Sequence, residues 1–176
     1  MPHMQPTSLK IRLYGDPCLK KKSNPVKEVG PGERLLIESL LATMYAYKGI
    51  GLAAPQVGIN QRIFVADTGE GPMAIINPKV LNKKGSQTME EGCLSIPGVS
   101  VNVKRPKVIV VKFTDENNQQ VTKEFSELMA RVFLHESDHL DGKLILDYAK
   151  AKERKKLIEL FEKAVREGVA PDASLG

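Results

Sequence analysis

The sequence has no tryptophan, only two cysteines, and an aromatic content of 5%. Two thiols, Cys18 and Cys93, are too few for a disulfide framework, so the expected setting is a reducing cytoplasm. Sparse aromatics, with no basic patch interleaved among them, exclude a stacking platform for single-stranded nucleic acid. No apolar run approaches the ~18 residues of a membrane span. The opening stretch MPHMQPTSLK lacks the apolar segment of a secretory signal. What is present is the balance of a globular chain: 176 residues, 41% hydrophobic and 27% charged, suited to one domain and too short for two ordinary ones. A net charge of +5 permits an anionic partner without requiring one.

Residues 1–8 and 169–176 read as flexible tails around a single unit, 9–168. Residues 32–47, GERLLIESLLATMYAY, carry apolar positions at helical spacing behind Pro31. The Gly-, Ala- and Pro-rich KGIGLAAPQVGINQ that follows reads as a loop. Short β-rich runs come next: RIFVAD, AIINP, VSVNVKR, KVIVVKF and VTKEF, with DENN at 115–118 as a hairpin turn between the last two. Two helical stretches, 126–141 and 150–167, close the chain. Strands and helices do not alternate, which gives an α+β class: antiparallel strands around a central helix, an N-terminal helix and a C-terminal amphipathic helix.

The central helix carries FLHESDHLDG. Positions four apart share a helix face, so His135 and His139 project together with Glu136 beside them. In a zinc-type site such a pair grips the ion, the ion acidifies water, and the adjacent carboxylate takes the proton. Two hydrogen-bonded core histidines are the plain alternative. These two are, however, the only histidines outside the tail, in a helix apolar almost all round.

Two imidazoles leave a ligand missing. A metzincin protease continues with a glycine and then a third histidine; Gly142 fits, but Ile145 stands where the histidine is required. A gluzincin takes a glutamate from a following helix, where Glu159 is the candidate. The apolar face of that helix, Leu157, Ile158, Leu160, Phe161, Ala164 and Val165, leaves Glu159 on the other side. The remaining donor is Cys93 in MEEGCLSIPG, since thiolate suits Zn²⁺ and Fe²⁺. Taken alone, Cys93 is as well read as a small buried hydrophobe; Gly92 before it, and Pro97 and Gly98 after it, mark a constrained loop.

Three segments, GIGLAAPQVG (49–58), EGCLSIPG (91–98) and HESDHLDG (135–142), resemble in order and separation the three signature motifs of peptide deformylase. The resemblance runs from about Gly15 to about Gly168. It implies removal of the formyl group from the N-terminal formyl-methionine of nascent chains, with release of formate. It implies Cys93, His135 and His139 as metal ligands, Fe²⁺ as the native metal, and Zn²⁺, Ni²⁺ or Co²⁺ as substitutes. Glu136 is then the acid/base, and Gln56 with the Leu94 N–H the oxyanion donors. The backbone of Ile50, Gly51 and Gly92 pairs with the substrate as an added strand. Glu91 and Arg105 resemble a supporting charge pair. Leu128 and Val132, on the ligand face, are candidate walls for the methionine side chain, with core packing the alternative for each. GIGLAAPQVG is no phosphate loop, since it lacks the third glycine and the lysine.

Two departures from the family pattern stand out. Leu134 replaces a glutamine before His135, and Ser100 stands near the place of a substrate-contacting arginine. Arg131, one turn before His135, is the candidate replacement for that contact. The basic run Lys150, Lys152, Arg154, Lys155 and Lys156 reads as a solvated face; the resemblance raises ribosomal RNA as a partner. The short length resembles the compact bacterial type, expected as a cytoplasmic monomer off the membrane. The rivals are a peptidase cutting internal bonds and a binding protein keeping its metal for structure.

Overall fold

The computed structural model describes residues 7–171 and 175–176; most of the expected N-terminal tail and part of the C-terminal one lie outside the described residues. Helix α1 (Pro31–Ala46) begins with proline at its first turn, and the Glu33 carboxylate accepts from Gly30 N–H at 3.1 Å. Strands β1 (Gly51–Ala53), β2 (Ile63–Ala66), β3 (Met73–Lys84), β4 (Gln87–Gly92), β5 (Ser100–Arg105), β6 (Val108–Thr114) and β7 (Gln120–Ser126) follow, then α2 (Glu127–Leu140) and α3 (Ala151–Arg166). Five strands form one antiparallel sheet in the order β1-β2-β3-β6-β7, and β4-β5 is a separate antiparallel hairpin.

Side chains alternate across the large sheet. Leu52, Ile63, Val65 and Ile76 pack with Leu36, Ile37, Leu40 and Met44 of α1. Ala53, Phe64, Ile75, Ile109 and Phe125 meet Ala130, Phe133 and Leu134 of α2 on the other face. The hairpin belongs to a third cluster, in which Val101, Val103, Cys93 and Ile96 pack with Ile145, Leu146 and Phe161 around α3. Helix α2 therefore lies on the sheet, while the loop bearing Cys93 joins the two strands of a hairpin packed with α3 and sends Leu94 into the cluster under α1.

The expected α+β class holds, as does the DENN turn, where Asn118 donates its N–H to Asp115 O at 3.1 Å. Two strands differ from the sequence reading. GLA pairs with β2 inside the stretch read as a loop, and QTMEEG pairs with β5 despite having one apolar side chain. Helix α2 stops at Asp141, where Gly142 takes φ +73 and the Lys20 carbonyl occupies the space a Cβ would need. The close of the HESDHLDG motif is thus a chain crossing only glycine permits.

Candidate metal centre

Helix α2 sets the His135 and His139 rings 5.1 Å apart at their centroids. His139 Nε2 lies 3.5 Å from Cys93 Sγ, and one donor atom from each of Cys93, His135 and His139 lies within 4.8 Å of the others. All three side chains are buried. Cys93 leaves the end of β4 in a turn closed by Ile96 N–H donating to Cys93 O at 2.9 Å, which turns the thiol toward α2. The third donor is therefore Cys93; Ile145 is buried beside α3, and Glu159 is exposed on it.

Burial holds His139 well below the usual imidazole range, reinforced by His135, so it presents a neutral ring suited to ligation. Burial also raises the Cys93 thiol, helped by the charges of Glu136 and Glu91. A divalent cation reverses that and binds the thiolate. Among the described residues, His139 Nδ1 and both Glu136 oxygens are buried without a hydrogen-bond partner. One soft sulfur, two imidazoles and an unpartnered carboxylate fit a divalent transition metal with a water beside it. Burial holds the Glu136 carboxyl well above its usual range, against the pull of Arg105.

His135 is oriented from behind. Its Nδ1 donates to Glu91 Oε1 at 3.0 Å, leaving Nε2 for the shared space. Arg105 grips Glu91 through Nε at 2.7 Å and Nη2 at 2.9 Å, and reaches Asp138 at 3.0 Å through Nη1. Tyr148 donates to that Asp138 at 2.6 Å. Burial alone would push Glu91 up, but the His135 and Arg105 hydrogen bonds outweigh it and hold the carboxyl at about 2. Arg131 is not at the surface, as a distal substrate contact would need; it is fully buried and also donates to Glu91.

Gln56 sits in a 3-10 turn, Ala54–Val57, directly after β1. Its Oε1 accepts from Ala53 N–H at 2.9 Å, which aims Nε2 at Ser95 Oγ, 3.1 Å away, and Cys93 Sγ, 3.7 Å away. The carbonyl of Gly176 lies 2.7 Å from His135 Nε2 and accepts from Leu94 N–H at 3.4 Å. A carbonyl oxygen thus finds a backbone donor beside the triad. Gly51 lies against Glu136: a Cβ there would stand 2.8 Å from Oε1 and 3.0 Å from the Leu175 carbonyl. Residues 175–176, expected as tail, accordingly lie beside the free edge of β1. Ile50, just before β1, and Gly92, at the end of β4, are half-buried, Leu128 is 39% exposed and Val132 fully buried. The cavity beside Leu128, about 620 Å³, is walled by Met73, Phe125 and Met129 and lies off the triad.

Sequence reasoning missed Ser95, which holds the Gln56 amide, and the true direction of Arg131. A charge within the apolar run Leu128–Leu134 signalled that Arg131 is buried and must find acceptors, though not which ones.

The sequence model of the polypeptide deformylase family matches residues 8–155. The peptide deformylase of Thermotoga maritima is 46% identical over 156 residues, spanning 86% of this chain and 95% of that protein. Among solved structures, a Legionella pneumophila peptide deformylase superposes with a TM-score of 0.89 at 32% identity, over 92% of this chain and 98% of that one. An Ehrlichia chaffeensis peptide deformylase in complex with actinonin superposes at 0.88 with 35% identity, over 91% and 99%.

Proposed function

Because this chain belongs to the polypeptide deformylase family, we propose that Cys93, His135 and His139 hold Fe²⁺ and that Glu136 carries the proton of the reaction. The chain is a metallohydrolase that removes the formyl group from the N-terminus of newly made polypeptides. The observation that carries the assignment of residues is the meeting of one thiol and two imidazoles within 4.8 Å, next to a buried carboxylate without a partner among the described residues.

The metal, when bound, supplies a Lewis acid and an acidified water. The chain's own groups do the rest. The edge of β1 at Ile50 and Gly51, facing Gly92, takes the substrate backbone as an added strand. Its methionine side chain lies over Leu128, with Val132 beneath. Gln56 Nε2 and Leu94 N–H donate to the formyl oxygen as charge gathers there. Glu136 accepts a proton from the attacking water and delivers it to the leaving amine.

Zn²⁺, Ni²⁺ and Co²⁺ fit the same donors and can substitute. Residues 9–168 form the catalytic unit, expected to act as a monomer in the cytoplasm. No described helix is long and apolar enough to cross a membrane. On α3, Lys152, Lys155 and Lys156 are exposed, as is Lys150 at its start, and these four form the face offered to ribosomal RNA. Arg154 is engaged elsewhere, donating to Leu146 O and Ala149 O. Counterion release makes such docking salt-sensitive; co-sedimentation with ribosomes at low but not high salt is expected, and none at low salt rejects it.

The test of the reaction is formate release from a formyl-Met-Ala peptide by protein purified without oxygen. Wild type should release it, and Glu136→Gln should retain metal yet lose activity. Equal rates for the two would refute the role of Glu136. An active zinc-only preparation, unaffected by iron chelation, would refute iron.

A further inference from the structure

We infer that Arg131 is a positioning residue of the metal centre, acting through Glu91 on His135 and joining the two parts of the fold that supply the ligands. The inference rests on the metal reading above. Arg131 stands one helical turn before His135 on α2, and its side chain is fully buried. From there its guanidinium crosses to the β4-β5 hairpin, where Nη1 donates to Glu91 Oε2 and to Val103 O at 2.9 Å, and Nη2 donates to Gln87 O at 2.7 Å. Nε has no partner.

Ala130, Phe133 and Leu134 of α2 pack on the large sheet, whereas Cys93, Val101 and Val103 pack with α3. Apolar packing ties the Cys93 loop to the sheet through Leu94, which turns into the cluster under α1. Helix α2 brings two donors and the loop after β4 the third, and a buried polar seam links the two directly. In that seam Arg105 and Glu91 both come from the hairpin. Arg131 and His135 are the side chains through which α2 reaches Glu91, and Asp138 adds a bond from α2 to Arg105; of these three, Arg131 is the one that also grips the hairpin backbone. A buried ion pair is a weak source of stability compared with apolar packing, and an unpartnered Nε adds cost. A role in geometry accounts for a charge in this place. With Glu91 pinned from the α2 side, the His135 ring is fixed so that Nε2 meets Cys93 Sγ and His139 Nε2 at ligand distance.

The probe is Co²⁺, whose absorption reports thiolate ligation and coordination geometry. Wild type should bind it with a thiolate charge-transfer band that Cys93→Ser abolishes; absence of that band in wild type defeats the metal reading itself. Given the band, Arg131→Met should bind Co²⁺ about 10- to 100-fold more weakly, the range for outer-shell partners of metal ligands, and show altered d–d bands. Its kcat should fall with KM for formyl-Met-Ala unchanged, and Arg131→Lys should recover part of the loss. Wild-type affinity and spectrum in Arg131→Met would overturn the inference, as would a rise in KM alone. Should Arg131→Met fail to fold, Arg131→Lys decides. One ammonium cannot serve Glu91, Gln87 O and Val103 O together, so Co²⁺ should leave it several-fold faster than wild type. Release at the wild-type rate would overturn the inference.

Discussion

Gly51 shows how closely single atoms set this site. Its missing Cβ is the space that Glu136 occupies, so Gly51→Ala should push the carboxylate aside. A displacement of about 1 Å can cost ~10² in rate; kcat/KM should fall by roughly that factor while metal content stays at the wild-type level. Loss of metal instead would place the damage at the ligands. Gln56→Ala removes one donor to the formyl oxygen, for which about 10²- to 10³-fold in kcat is expected, again with metal retained. Glu91 makes a prediction about pH. Its folded-state value, about 2, lies below its ordinary 4.5. Its contribution is therefore complete above pH 4.5 and vanishes as pH falls toward 2, roughly 3 kcal/mol in all. In urea titrations of metal-free protein, the stability gap between wild type and Glu91→Gln should narrow across that window; a constant gap would contradict it. At this scale the sequence was partly legible. His135, Glu136 and His139 were readable because they are the chain's only histidine pair, at one helical spacing. Ser95 and Arg131 were not, because their partners lie 39 and 40 positions away in the chain, at Gln56 and Glu91, and no local pattern encodes such a meeting.

The elements that were hard to read are the two strands to which the proposal gives the substrate edge and the approach to Cys93. Strand β1 lies in a Gly-, Ala- and Pro-rich stretch, where composition indicates a loop; what makes it a strand is pairing with β2, from Gly51–Ala66 to Ala53–Phe64. Strand β4 has almost no apolar alternation because Glu91 points inward to an ion cluster and not to an oily core. Both exceptions follow from function, since a peptide-binding edge and a ligand-bearing hairpin have polar duties where ordinary strands have packing. Helix α2, α1 and strands β2, β5 and β6 were legible because each does have an apolar face to bury. The edge role of β1 predicts that N-methylation of the substrate amide facing it raises KM by about tenfold, the worth of one ~1.4 kcal/mol hydrogen bond, with kcat little changed. Steady-state kinetics on a methylated and an unmethylated formyl tripeptide decide it, and equal KM values would contradict strand addition.

For the whole molecule, the candidate metal centre lies at a junction, where α2 on the sheet supplies two donors and the loop after the β4-β5 hairpin's first strand supplies the third. Apolar clusters secure each side, and the buried Arg131–Glu91–Arg105 seam aligns them. The central claim is that the junction closes on one metal ion through Cys93, His135 and His139. X-ray absorption at the metal edge of the active, oxygen-free protein tests it most directly. One sulfur and two imidazole nitrogens should surround the ion, with the sulfur lost in Cys93→Ser. A sulfur-free shell in the active wild type, or an unchanged spectrum in Cys93→Ser, would contradict it.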